Sequence, residues 1–362
     1  MIALLTNLKT WALILLFSQI TWGQNKTVVS IVDDAFYING KITYSDRYWQ
    51  GNKIEGLLLN SRMVQGIFDD LNPETKDNFI YPDTKKWSAK RNNKEFVSQM
   101  KNWRDHGLLA FTLNLQGGSP LGYGNKGWIN STFTPTGDIR KPYLKRLNKI
   151  LKEADKLGMV VILGYFYFGQ DEWLKDEAAV INAVDNMSHY LLRKKYKNVI
   201  VEVNNECNIK YDHDILKPER VHELIKRIKD IEIDGHRLLV STSYGGGTLP
   251  KTNVVSHSDF ILLHGNGIKD PDKITQLVNN TRKVEGYHNQ PIVFNEDDHF
   301  DFDKKNNNFV NAVKSYASWG YFDYRMKGEG FDDGFQSVPV NWGISSPRKK
   351  DFFMKLKEIT GY

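Results

Sequence analysis

A single eight-stranded parallel α/β barrel is the fold class this sequence predicts, on three observations. From Ile54 onward, short apolar runs alternate with amphipathic helical stretches, the order of βα units that feed a parallel sheet. Eight such runs can be read, and 362 residues suit one barrel with enlarged loops. No repeat, low-complexity tract or linker divides the chain, so residues 24–362 read as one domain.

The elements follow in order. Residues 1–23 carry Lys9, the apolar run Trp11 to Phe17 and then the small residue Gly23. That is the layout of a signal peptide, and the apolar run is too short to span a bilayer. Export to the cell envelope or beyond is therefore expected, and no later stretch is long and apolar enough for a membrane span. Val28 to Tyr37 and Lys41 to Tyr44 flank Asn39-Gly40, a hairpin expected to cap the barrel floor. Strands are expected at Gly56 to Asn60, Leu108 to Leu113, Val160 to Tyr165, Val199 to Asn204, Leu238 to Thr242, Phe260 to His264, Ile292 to Asn295 and Gly320 to Tyr324. Helices fit between them at Lys94 to Asp105, Pro142 to Leu157, Glu177 to Lys195, Pro218 to Ile231, Asp272 to Val284 and Asn308 to Ser318, with a last one at Pro347 to Ile359. The fifth unit shows no clear helix, because Gly245 to Ser256 carries three glycines.

Composition excludes several classes. The formal charge of +6 is spread through helix-like segments such as residues 141–156 and 217–229, a solvated basic surface rather than a nucleic-acid footprint. Cys207 is the sole cysteine, so no internal disulfide can form and the core must supply stability. Gly245-Gly246-Gly247 lacks the Gly-Lys-Ser/Thr of a phosphate cradle. The run Asp297, Asp298, His299, Asp301 and Asp303 lacks the glycine and distal glutamate of a calcium loop. It reads as a helix cap and a rim. No metal or cofactor is expected, and the chain is expected to act as a monomer.

In a barrel of this kind the chemistry sits at the carboxyl ends of the strands. Those ends are rich in amides, aromatics and carboxylates, a set that suits a sugar's hydroxyls and C–H faces. Two ends stand out: NVIVEVNNE stops at Glu206, and PIVFNE stops at Glu296. Strands four and seven face each other across the barrel mouth. Glycoside cleavage with retention needs two carboxyl groups roughly 5 to 5.5 Å apart.

The motif VIVEVNNE, residues 199–206, resembles the strand-four signature of clan A glycoside hydrolases, in particular family 5, the cellulase and mannanase type. The resemblance implies a retaining hydrolase of β-glycosidic bonds in a polysaccharide or oligosaccharide, with Glu206 as general acid/base and Glu296 as nucleophile. It implies that Asn205 holds a sugar 2-hydroxyl, that Arg62 lies near Glu296, and that His264 matches the histidine of the family's H-x-Y motif. The sequence departs at three points: Asn266 stands for that tyrosine, Tyr165 and Tyr167 for a strand-three histidine, and Cys207 for a proline. Asn114, at the end of strand two, and Tyr244, before the glycine run, are further candidates for substrate contact. Of Trp128, Trp173, Trp319 and Trp342, the last is taken as a stacking platform and the others as packing. The competing readings are a catalytically inactive carbohydrate-binding barrel and a metal-dependent hydrolase. Intact Glu206 and Glu296 weigh against the first, and strand ends poor in histidine against the second.

Overall fold

The computed structural model describes residues 27–122 and 126–362; the segment read as a signal peptide lies outside the described residues. Eight parallel strands form the barrel: β1 Asn60–Arg62, β2 Ala110–Asn114, β3 Val160–Tyr167, β4 Val199–Asn205, β5 Leu239–Ser241, β6 Ile261–His264, β7 Ile292–Glu296 and β8 Gly320–Phe322. Six of them pair in the order β5-β4-β3-β2-β1-β8, and β6 pairs with β7. Parallel bridges Val293 to Ser318 and Asp297 to Tyr321 join β7 to β8. The N–H of Asp259 donates to the Val240 carbonyl across the β5 to β6 seam at 2.9 Å. The ring is thereby closed, and no barrel strand is left as an open edge.

Strands β3 and β4 read VVILGYFY and VIVEVNN and are buried throughout, without the polar alternation of a half-exposed sheet. Helices cover their outer face, which is why they can be apolar on both sides. Those helices are α1 Ala89–Asp105, α2 Lys141–Leu157, α3 Glu177–Arg193, α4 Val221–Lys229, α5 Thr252–His257, α6 Asp272–Thr281, α7 Asn308–Lys314 and α8 Pro347–Thr360. Side chains of Ser88, Asp176, Asn307 and Ser346 accept the free N–H groups at four of the helix starts. Gly158, at φ 68°, closes α2 in the left-handed conformation and turns the chain directly into β3.

Three expectations change. The fifth unit does contain a helix, the short α5, placed after the glycine run rather than within it. The first strand begins its pairing at Asn60, because Leu57, Leu58 and Leu59 form a buried approach to it. The N-terminal hairpin is a three-stranded meander, Val29–Val32, Ala35–Ile38 and Lys41–Ile42. Its additional turn falls at Asp33-Asp34, with Asp33 at φ 54°. The meander lies at the amino-terminal face as expected, since the Val29 N–H reaches the Lys197 carbonyl and Tyr44 Oη the Gly107 carbonyl, both just ahead of strands.

Candidate active site

Glu296 closes β7, and Glu206 follows β4 directly. The backbone of Glu206 is left-handed, at φ 53°. A side-chain-bearing residue held there costs on the order of 1–3 kcal/mol unless its surroundings enforce it. Ser243, after β5, enforces it: Glu206 N–H donates to Ser243 Oγ, and Cys207 N–H donates to the Ser243 carbonyl, both at 2.9 Å. Ser243 Oγ in turn donates to Glu202 Oε1 at 2.6 Å, and Asn295 Nδ2 donates to Glu202 Oε2 at 3.3 Å. Buried Glu202 thus joins the chain segments that present both outer glutamates.

Glu296 is enclosed by nitrogen donors. Arg62 Nε forms an ion pair with Oε2 at 2.9 Å, and Asn266 Nδ2 donates to Oε1 at 2.6 Å. Arg62 is itself buried, with its guanidinium 5.7 Å from the Phe322 ring centre. His264 Nδ1 stands between the carboxylates, 2.9 Å from Glu206 Oε1 and 3.6 Å from Glu296 Oε2. One oxygen of each glutamate and a ring nitrogen of His264 lie within 4.8 Å of one another. A two-carboxylate, one-histidine set can hold a divalent metal. Here the donors are already engaged, and a cation would have to sit beside the Arg62 guanidinium. Next in the chain, Asp297 is fully buried and accepts from Trp319 Nε1 (2.9 Å) and Asn308 Nδ2 (3.0 Å). It anchors the end of β7 to β8 and α7.

The protonation balance differs from the one that the resemblance implies. Burial raises the Glu296 carboxyl above its ordinary value, although Arg62, His264 and Asn266 oppose the rise. For Glu206, burial also pushes upward, but the hydrogen bond and charge of His264, helped by Arg62, prevail and hold it low. His264 is raised in spite of its burial by Glu296 and by its contact with Glu206. The opposed shifts of Glu206 and His264 favour the charged form of each across their 2.9 Å contact. His264 Nδ1 lies 2.9 Å from Glu206 and 3.6 Å from Glu296, so the three groups titrate together rather than singly.

A cavity of about 510 Å³ opens onto Glu206, Glu296 and Asn266 and is walled by Trp128, Tyr167, Phe168 and Trp173. The structure thus brings together Glu206, Glu296, Arg62 and His264. Asn205 is buried at the end of β4, where its Oδ1 has no hydrogen-bond partner. Asn114 lies against Gly164 of β3 rather than in the cavity wall.

Two candidates prove to be core residues. Trp342 is 1% exposed, donates Nε1 to Asn92 Oδ1 at 2.9 Å and stacks on Phe335, because the chain after β8 folds back onto α1. Tyr244 is buried beside Cys207. That thiol is pushed up to about 12 by burial and is no nucleophile. Trp319 is core as expected, but Trp128 and Trp173, read as packing, line the cavity. The sequence had flagged Asn266 as a departure from the H-x-Y pattern without revealing that its amide takes a place on the carboxylate. Replacing Asn266 with Ala removes a donor that favours ionised Glu296. The carboxyl then rises further, and the acidic limb of kcat/KM moves to higher pH with a roughly ten- to hundredfold loss below it. A pH–rate profile with an unmoved limb would show that the contact does no such tuning.

The fold is a (β/α)8 barrel. Among solved structures, the chain is similar to a family 5 glycoside hydrolase from Bacteroides vulgatus, at 15% identity and TM-score 0.56, over 93% of this chain and 71% of that one. It is similar to an endo-1,4-β-mannanase from Rhizomucor miehei at 11% identity and TM-score 0.56, over 92% and 99% of the two chains. A family 5 mannosidase from the same organism gives 12% identity and TM-score 0.51, over 92% and 98%. At such identities the likeness establishes the fold. No family model matches the sequence, and no curated protein matches it.

Proposed function

We propose that this protein is a retaining hydrolase of β-glycosidic bonds in a polysaccharide or oligosaccharide, exported after loss of residues 1–23 and active as a monomer. The observation that carries the reading is the approach of Glu206 and Glu296 oxygens to within 4.8 Å in one cavity. That approach suits double displacement, whereas inversion needs roughly 6.5–9.5 Å between the carboxyl groups to seat a water.

In the first step a Glu296 oxygen attacks the anomeric carbon while Glu206 gives a proton to the departing glycosidic oxygen. The C–O bond breaks, the leaving sugar departs as an alcohol, and a glycosyl ester of Glu296 remains. Glu206 then takes a proton from water, the hydroxide oxygen attacks the same carbon, and Glu296 leaves as a carboxylate. The proton that Glu206 delivers is available from His264 Nδ1, 2.9 Å away. Arg62 and Asn266 stabilise Glu296 each time it regains its charge. The buried acceptor Asn205 Oδ1 suits a sugar hydroxyl, as expected for the 2-hydroxyl.

Release of reducing sugar from a panel of neutral and anionic β-glycans tests the activity, and NMR of the first-formed anomer tests the stereochemistry. A β product supports double displacement, and an α product excludes it. If no glycan is cleaved while one still binds, the molecule is a binding barrel.

A further inference from the structure

The carboxylates of Asp171, Glu172 and Asp212 converge at one point, with one oxygen of each within 4.8 Å of the others. Asp171 and Glu172 belong to the short 3-10 segment Asp171–Trp173 beyond β3, and Asp212 to the loop that follows Glu206. An acidic cluster at a surface is ordinarily just solvated. Here Asp171 is 1% exposed, and its two oxygens are used unequally. Oδ2 accepts the N–H groups of Asp212 and His213, at 2.8 and 3.3 Å. Oδ1 is buried with no hydrogen-bond donor among the described residues. Among those residues, no lysine or arginine forms an ion pair with any of the three carboxylates, and Lys217, on the same loop as Asp212, is paired with Asp214 at 2.6 Å.

A buried carboxylate oxygen needs a donor or a cation against it. Burial raises the Asp171 carboxyl above its ordinary value in spite of the two N–H groups, and burial, with Asp171 and Asp212 adding to it, raises Glu172. The group at Glu206, His264 and Glu296 differs, because its carboxylates already receive Arg62, Asn266 and His264. A cation among Asp171, Glu172 and Asp212 would face the unused Oδ1 and relieve the repulsion of three crowded carboxylates. Carboxylate oxygens alone suit a hard ion. Calcium takes such oxygens at 2.3–2.6 Å in flexible geometry, so its ligands stand up to roughly 5 Å apart, whereas magnesium demands a near-ideal octahedron and is usually held by one or two carboxylates.

We propose that Asp171, Glu172 and Asp212 bind one calcium ion, with water completing its coordination, and that the ion ties the loop after β3 to the loop after β4. Gln170, Glu172 and Trp173 of the first loop line the cavity and the second loop follows Glu206, so the ion braces one wall of the candidate active site without entering its chemistry. No local spacing announces the site, since Asp212 stands 41 residues beyond Asp171.

The test is calorimetric titration of the chelator-treated protein with calcium chloride and, separately, with magnesium chloride, with thermal melting followed alongside. One calcium ion binds per chain with Kd on the order of 10⁻⁴ M, at least about tenfold more tightly than magnesium. Calcium at about a hundred times Kd raises Tm by roughly 4 °C. Glu172→Gln and Asp212→Asn, both at exposed positions, each weaken calcium binding at least about tenfold. Asp171→Asn, which keeps an acceptor for the Asp212 and His213 N–H groups, abolishes it. Glu296→Gln, and Asp301→Asn in the other acidic run, leave it unchanged. No calcium binding by the wild type, equal affinity for magnesium, binding indifferent to Glu172→Gln and Asp212→Asn, or binding lost in Glu296→Gln overturns the proposal. Binding and melting are read without a substrate, so the outcome does not depend on whether any glycan is cleaved.

Discussion

Glu296→Gln lowers kcat/KM by at least about a thousandfold on whichever glycan the wild type cleaves, the scale of losing an essential group in catalysis. Glutamine keeps the shape and the Asn266 contact geometry but cannot form the glycosyl ester. Glu206→Gln loses as much on a natural glycan, whose alkoxide is a poor leaving group without a proton. On an aryl glycoside with an acidic phenol the two variants part company. That leaving group departs without a general acid, so the first step of the Glu206 variant recovers and the glycosyl-enzyme accumulates. The Glu296 variant stays inactive. A pre-steady-state burst in Glu206→Gln and none in Glu296→Gln assigns the roles. The reverse pattern would exchange them, and activity surviving in both variants would refute the mechanism.

The position of the two glutamates at strand ends was legible in the sequence because it depends on covalent neighbours. An apolar run that ends in Asn-Asn-Glu must surface at a strand end, and the eight-unit order places its partner, Phe-Asn-Glu, across the mouth. What depends on tertiary path was not legible. Trp342 and Trp173 both follow strands in polar loops, but only the fold shows that the first is roofed by α1 and the second open beside the carboxylates. The additional turn of the meander was hidden because Asp33-Asp34 is a weaker signal than Asn39-Gly40, which was read correctly. The left-handed backbone of Glu206 depends on Ser243, a residue 37 positions away. The protonation order could not be read either. It turns on His264 leaning 2.9 Å from one glutamate and 3.6 Å from the other, a difference that no motif encodes.

Arg62→Met is expected to be the most damaging change after those at the two glutamates, and it acts on both stability and rate. The guanidinium and the Glu296 carboxylate are both withdrawn from water, at 1% and 6% side-chain exposure. Removing the cation leaves the burial penalty of Glu296 opposed by His264 and Asn266 without Arg62, so its carboxyl rises further and its protonated form is favoured. A protonated Glu296 is no nucleophile. The loss in kcat/KM is therefore greatest at acidic pH and shrinks as pH rises and the carboxylate is restored. Breaking a buried pair by deleting one partner also costs about 3–5 kcal/mol of stability. The two effects separate in a double-mutant cycle followed by denaturant unfolding. If the cost arises from stranded charge, Arg62→Met destabilises the Glu296→Gln protein much less than the wild type, because glutamine carries no charge to strand. An equal cost in both backgrounds would mean that Arg62 contributes through its packing on Phe322 instead, and the electrostatic account of Glu296 would have to be given up.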